Sequence, residues 1–101
     1  MKEEDKRNSN EQPLKDVIDK LLKAYSLDHK MKELDVIANW EILMGKAVAF
    51  RTKEITIKNR RMRLVIDSSV MREELSHGKQ LIIDRVNDYA GFEVINDIWF
   101  A

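Results

Sequence analysis

Between Glu54 and Asp67 the side chains alternate between apolar and polar, and no other stretch constrains the fold as tightly. Ile55 and Ile57 are followed by Met62, Leu64 and Ile66, with Lys58-Asn59-Arg60-Arg61 between the two runs. A period of two belongs to a strand with one face against a core. The intervening segment predicts a hairpin loop, since Asn59 tolerates positive φ. Strands joined so closely must run antiparallel. One face of the hairpin is then apolar and needs helices against it. The other displays Lys58 and Arg63, with Val65 as its one apolar exception.

The flanking segments supply those helices. Residues 1–12 hold no aliphatic side chain besides Met1 and are expected to form a disordered polar tail. Order is expected from Pro13, which a first helical turn tolerates because its missing N–H would be unpaired there. Leu14, Val17, Ile18, Leu21, Leu22 and Tyr25 then recur on one helix face. Ser26-Leu27-Asp28 is expected to break this helix, with Asp28 capping a second. That second helix has two stripes, Leu34, Ile37 and Ala38 on one side and Val36, Trp40, Leu43, Met44 and Ala47 on the other. Two stripes demand cover on two sides, so it is expected to lie between the first helix and the sheet. Trp40 is expected in the core with a partner for its indole N–H, and Gly45 near the helix end, where it can take a left-handed conformation.

After the hairpin, Ser68 or Ser69 can cap a helix. Val70, Met71, Leu75, Leu81, Ile82, Val86 and Tyr89 keep a helical period that falters at His77-Gly78, predicting two short helices or one bent one. Gly91 ends it. Phe92 to Phe100 is expected to be a last strand, with Val94, Ile98 and Phe100 on one side. The fold class is α+β, in the order α-α-β-β-α-α-β, with a small three-stranded sheet packed on helices. The partner of the last strand is left open.

The 101 residues carry 18 basic and 18 acidic side chains, a net charge of zero. Their distribution is uneven. Arg51, Lys53, Lys58, Arg60, Arg61 and Arg63 face one acid, Glu54, within thirteen residues, a local +5 that leaves twelve basic and seventeen acidic residues elsewhere. One positive strip on an acidic body suits oriented docking of an anionic partner. Through phosphate contacts it would bind nucleic acid weakly, without sequence preference and with steep salt dependence. The plain alternative is that these residues solubilise an exposed sheet face and blunt its edge.

Catalysis finds little support. His29 and His77 lie in no metal-ligand spacing, no P-loop is present, and Asp67-Ser68-Ser69 lacks a nucleophile-elbow frame and is explained by helix capping. With no cysteine, thiol chemistry and disulfides are excluded. No apolar run approaches the roughly 20 residues of a membrane span, and no signal-peptide core follows the polar start. A cytoplasmic, non-enzymatic protein without metal or cofactor is expected. The GxxG loop of nucleic-acid-binding KH domains is missing, and neither outer strand face is expected to offer an aromatic side chain for stacking bases.

Trp40 and Gly45, with four residues between them, precede Leu64, Val65 and Ile66 of the second strand, then Ser68, Ser69, Glu74 and Leu75 at the next helix. In this order and spacing the chain resembles the DciA family from about residue 14 to 100. The resemblance implies a KH-like αββααβ domain with an added N-terminal helix, here 13–101. It also implies contact with the replicative hexameric helicase and assistance in loading it on DNA, while the basic strip makes weak binding of single- or double-stranded DNA the further expectation. Two departures stand out. The family usually has a Gly in the hairpin, where this chain has Asn59-Arg60-Arg61. Many members also carry an extra polar tail; this chain's last residue is Ala101, so a role held there is expected to be absent or shifted to residues 1–12. The competing readings are a general KH-like module for single-stranded DNA or RNA, and a scaffold for an unrelated protein.

Overall fold

A computed structural model describes the backbone of residues 3–101 and the side chains from Glu11 onward. The chain divides into two units, Met1–Lys30 and Met31–Ala101. Its elements are α1 (Glu3–Ala38), α2 (Trp40–Met44), α3 (Lys46–Arg51), β1 (Thr52–Lys58), β2 (Arg61–Ile66), α4 (Ser69–His77), α5 (Lys79–Ala90) and β3 (Asp97–Phe100). This is the expected α+β order with one further short helix, and α3-β1-β2-α4-α5-β3 gives the KH-like αββααβ succession.

The first unit corrects the reading of the helices. No break occurs at Ser26-Leu27-Asp28, and Asp28 caps nothing, because α1 runs through all three. Ser and Asp each cost only tenths of a kcal/mol in a helix interior, and neither Gly nor Pro stands there to stop it. Pro13 lies inside α1 rather than in its first turn. Residues 3–12 of the expected tail lie within α1, and residues 1–2 lie outside the described residues. Leu14, Val17, Ile18, Leu21, Leu22 and Tyr25 share a helix face as expected, and all are exposed.

In the second unit the helix breaks fall elsewhere. Asn39 interrupts the run between α1 and α2, its amide nitrogen donating to the Asp35 carbonyl at 2.9 Å and the Asp35 carboxylate at 3.0 Å. Gly45, at φ 88° and ψ 164°, separates α2 from α3. A side chain at that φ would be strained, which is why glycine stands there. The expected second helix is therefore the end of α1 plus two short helices. Of its stripes, Val36 and Trp40 are buried, Ile37, Leu43 and Met44 half-buried, and Leu34, Ala38 and Ala47 exposed. Cover on two sides is not found, because no separate first helix exists to supply it.

The sheet has the order β1-β2-β3. β1 and β2 pair antiparallel from Thr52↔Ile66 to Lys58↔Arg61, with a bulge between Thr52 and Glu54. Asn59 and Arg60 both have positive φ, 53° and 62°, the pattern of a two-residue type I′ turn. β3 pairs parallel with β2 from Arg61↔Asp97 to Leu64↔Phe100, making β2 the central strand. The last strand is shorter than expected. Val94 and Ile95 donate their amides to the Asn87 side-chain oxygen at 2.9 and 3.1 Å, and Asn87 Nδ2 donates to the Ile95 carbonyl. With both amides and the Ile95 carbonyl satisfied by one asparagine, these residues pack into the core without joining the ladder.

The core is one cluster: Val36 and Trp40 from the helices before the sheet, Ile57, Met62, Leu64, Ile66 and Ile98 from the strands, Ile82, Ile83, Val86 and Ala90 from α5, with Val94 and Ile95. Ser68 caps α4 through its hydroxyl, which accepts from Met71 N at 3.3 Å, while Ser69 is the first helical residue. The period falters where expected: α4 and α5 meet at Gly78, and Gly91 ends α5 in the left-handed region.

Trp40 is 4 % exposed, and its indole N–H donates at 3.1 Å to Thr52 Oγ1, whose hydroxyl in turn donates to the Val48 carbonyl at 2.7 Å. This chain of bonds fastens α2 and α3 to the start of β1. Trp40→Ala is expected to cost about 3–5 kcal/mol in urea unfolding. Thr52→Val keeps the shape but strands a buried N–H, and should cost about 1–3 kcal/mol. Wild-type stability in both variants would remove Trp40 from the core.

Candidate nucleic-acid interface

The alternation that buries Ile57, Met62 and Leu64 turns their neighbours the other way. On the face of the sheet away from the core, the register sets Thr56 beside Arg63 and Arg63 beside Trp99, and sets Lys58 beside Arg61 and Arg61 beside Asp97. Lys58, Arg61, Arg63 and Trp99, with Thr56, Asn59, Asn96 and Asp97, line a shallow groove of about 720 Å³.

The six basic residues singled out in the sequence do not form one strip. Lys58, Arg61 and Arg63 converge on the groove. Arg51, at the end of α3, and Lys53, near the start of β1, lie outside it, Lys53 about 10 Å along the strand from Thr56 and about 17 Å from Lys58 at the usual rise per residue. Both approach Asp67, at 3.7 and 3.3 Å, and both stand 5.3 Å from the centre of the exposed Phe50 ring. Arg60, at the turn, points to Glu93, with Nη1 3.0 Å from its carboxylate. Its positive φ is held from outside the turn by Asn96 N, which donates to its carbonyl at 2.8 Å. The +5 read along the sequence therefore becomes two clusters and a separate arginine, because strand length parts the ends of β1.

Within the groove the charges are partly matched. Arg61 lies 3.4 Å from Asp97, Arg63 lies 3.4 Å from Glu54, and Lys79 of α5 reaches Asp97 at 2.7 Å. The hydrogen bond from Lys79, then that from the Ile98 amide, hold the Asp97 carboxyl below its ordinary pKa. All these pairs are solvent-exposed, so each contributes little to stability. Lys58, Arg61 and Arg63 against Asp97 leave the lining positive.

Trp99 corrects the expectation that no aromatic side chain stands on the outer face. It is 56 % exposed, and the Arg63 guanidinium carbon sits 5.4 Å from its ring centre. The signal was in the sequence: with Ile98 facing the core at one end of an alternating strand, residue 99 must face outward. What it lacked was the neighbour, since nothing local places β3 beside β2. Asn96, Asp97 and Lys79 were missed for the same reason.

Among the described residues no cluster of His, Asp and Glu could hold a metal ion, and no helix is long and apolar enough to cross a membrane. The fold and this charged, open sheet face make a small α+β domain with an exposed, positively lined surface. The family model described as Dna[CI] antecedent, DciA, matches residues 13–100, nearly the whole chain. The chain belongs to the DciA family, and membership implies a helicase-loading role and interaction with the replicative helicase. No curated protein matches it.

Asp97 yields a signed prediction. Its folded pKa lies below the ordinary 3.8, so its contribution to stability is complete above that value and is lost as pH falls through the folded pKa. Melting temperature followed from about pH 6 to pH 2 should fall less steeply for Asp97→Asn than for wild type. Parallel curves would show that the Lys79–Asp97 contact is not held in solution.

Proposed function

We propose that this protein binds the hexameric replicative helicase in the cytoplasm and assists its placement on DNA, while the open sheet face holds DNA weakly and without sequence preference. The observation that carries the DNA-binding part is the convergence of Lys58, Arg61 and Arg63 on one groove, on the sheet face that the core does not use. The family match starting at residue 13 supports 13–101 as the acting domain. The sequence has no P-loop, so the loader works by binding one state of the helicase better than another. Engaging a DNA-receptive ring and leaving once the strand is threaded needs differential affinity and no bond chemistry.

The first test is interferometry of the full chain against the replicative helicase of its own organism at physiological salt, with and without single-stranded DNA. Saturable binding is expected. Its absence, with DNA binding retained, would turn the reading to a general single-strand module. The combined variant Lys58→Glu, Arg61→Glu, Arg63→Glu should weaken DNA binding evenly across sequences. It should also flatten the plot of log affinity against log salt by about 2, three contacts at ~0.7 each. Reversing Arg51 and Lys53 should do less, because neither lines the groove and the two share one carboxylate, Asp67. An unchanged salt slope in the triple variant would show that the groove does not meet phosphates.

A further inference from the structure

Folding does not account for Trp99. The inner positions of β3 are filled by Ile98, buried, and Phe100, half-buried, whereas Trp99 spends a large apolar ring on an open surface. Arg63 lies over it from the adjacent strand, 5.4 Å from its centre, and Lys58 and Arg61 line the same groove. Neighbouring strands are about 4.8 Å apart and alternate residues about 6.6 Å, so the backbone positions of Arg61 and Lys58 lie about 8 and 12 Å from that of Trp99. An aromatic plane flanked by cations recognises an unpaired base attached to a phosphate. Arg63 covers part of the ring, and the rest faces solvent.

We infer that Trp99 stacks on a base of single-stranded DNA while Lys58, Arg61 and Arg63 engage the adjoining phosphates. The inference rests on the reading that the open sheet face holds DNA, and it adds a discrimination that charge alone does not provide. Phosphate contacts act on duplex and single strand alike. In a duplex each base is already stacked on its neighbours, and a side chain fixed on a flat sheet has no plane to reach. The groove is therefore a single-strand site, suited to the strand that a helicase ring must receive. Stacking is tolerant of sequence, because every base has a π-face.

The chain has two tryptophans, one buried and one exposed, and this makes the test direct. The full chain is titrated at low salt with a 12-nucleotide oligothymidylate and with a duplex of the same length, following labelled-DNA anisotropy and intrinsic tryptophan emission. The single strand should quench emission, and the duplex should bind more weakly and quench little. In Trp99→Leu, Trp40 remains as an internal reporter of folding. Its emission should not respond to the oligonucleotide, and affinity should fall about fivefold or more with the salt slope unchanged. Trp99→Phe, which keeps a ring, should recover most of the affinity.

Wild-type binding without quenching, or wild-type affinity in Trp99→Leu while the triple charge variant still binds weakly, would overturn stacking and leave the phosphate reading standing. No DNA binding by the wild-type chain would overturn both. Loss of helicase binding in Trp99→Leu with DNA affinity intact would also overturn the inference, and assign the ring to the protein partner.

Discussion

The two-residue turn at Asn59-Arg60 sets the register on which the rest of the sheet depends. Both residues sit at positive φ, which matches the twist of an antiparallel pair and leaves no slack between Lys58 and Arg61. A slip of one residue would send Met62, Leu64 and Ile66 to the solvent face and the arginines into the core. Arg60 is an unusual residue for this conformation, where glycine or asparagine is the ordinary choice. It is restrained by the Asn96 amide on its carbonyl and Glu93 at its guanidinium. The turn is thereby tied to the segment that leads into β3.

From that register the core and the interface emerge together. β2 is central and contributes Met62, Leu64 and Ile66 to one side, all nearly inaccessible. The same strand presents Arg61 and Arg63 to the other. Because β3 runs parallel to β2, it arrives from α5 with Ile98 inward and Trp99 outward, in line with Arg63. Burial of one face and display of the other are two results of one alternation. The helicase-loading role of the family needs no bond chemistry. A strand pinned on both sides holds the charge and shape of this face still.

The helices show where local reading stops. Ser26-Leu27-Asp28 has the residues of a cap and none of its geometry, because α1 passes through without a chain breaker. Asn39, in an apolar-periodic run, does interrupt the helix, through side-chain bonds to Asp35 that propensity does not reveal. Gly45 and Gly91 were legible because positive φ is a backbone demand that one residue type meets cheaply. The short β3 was not legible. Asn87 takes up the backbone of Val94 and Ile95 from another element, and no pattern within 92–100 records that.

Periodicity and local turn chemistry determined the hairpin, the outward direction of Lys58 and Arg63, the buried Trp40, a break in the helical run at His77-Gly78 and the α+β class. Apart from the burial of Trp40, these depend mainly on contacts within a few residues, where spacing along the chain and spacing in space are nearly the same quantity. The tertiary structure decided which of six basic residues lie together and that an aromatic ring stands among three of them. It also decided that β3 lies parallel to β2. Charge counted along a sequence sums residues that a strand holds about 10–17 Å apart, and the partner of an edge strand is chosen by the core that closes over it.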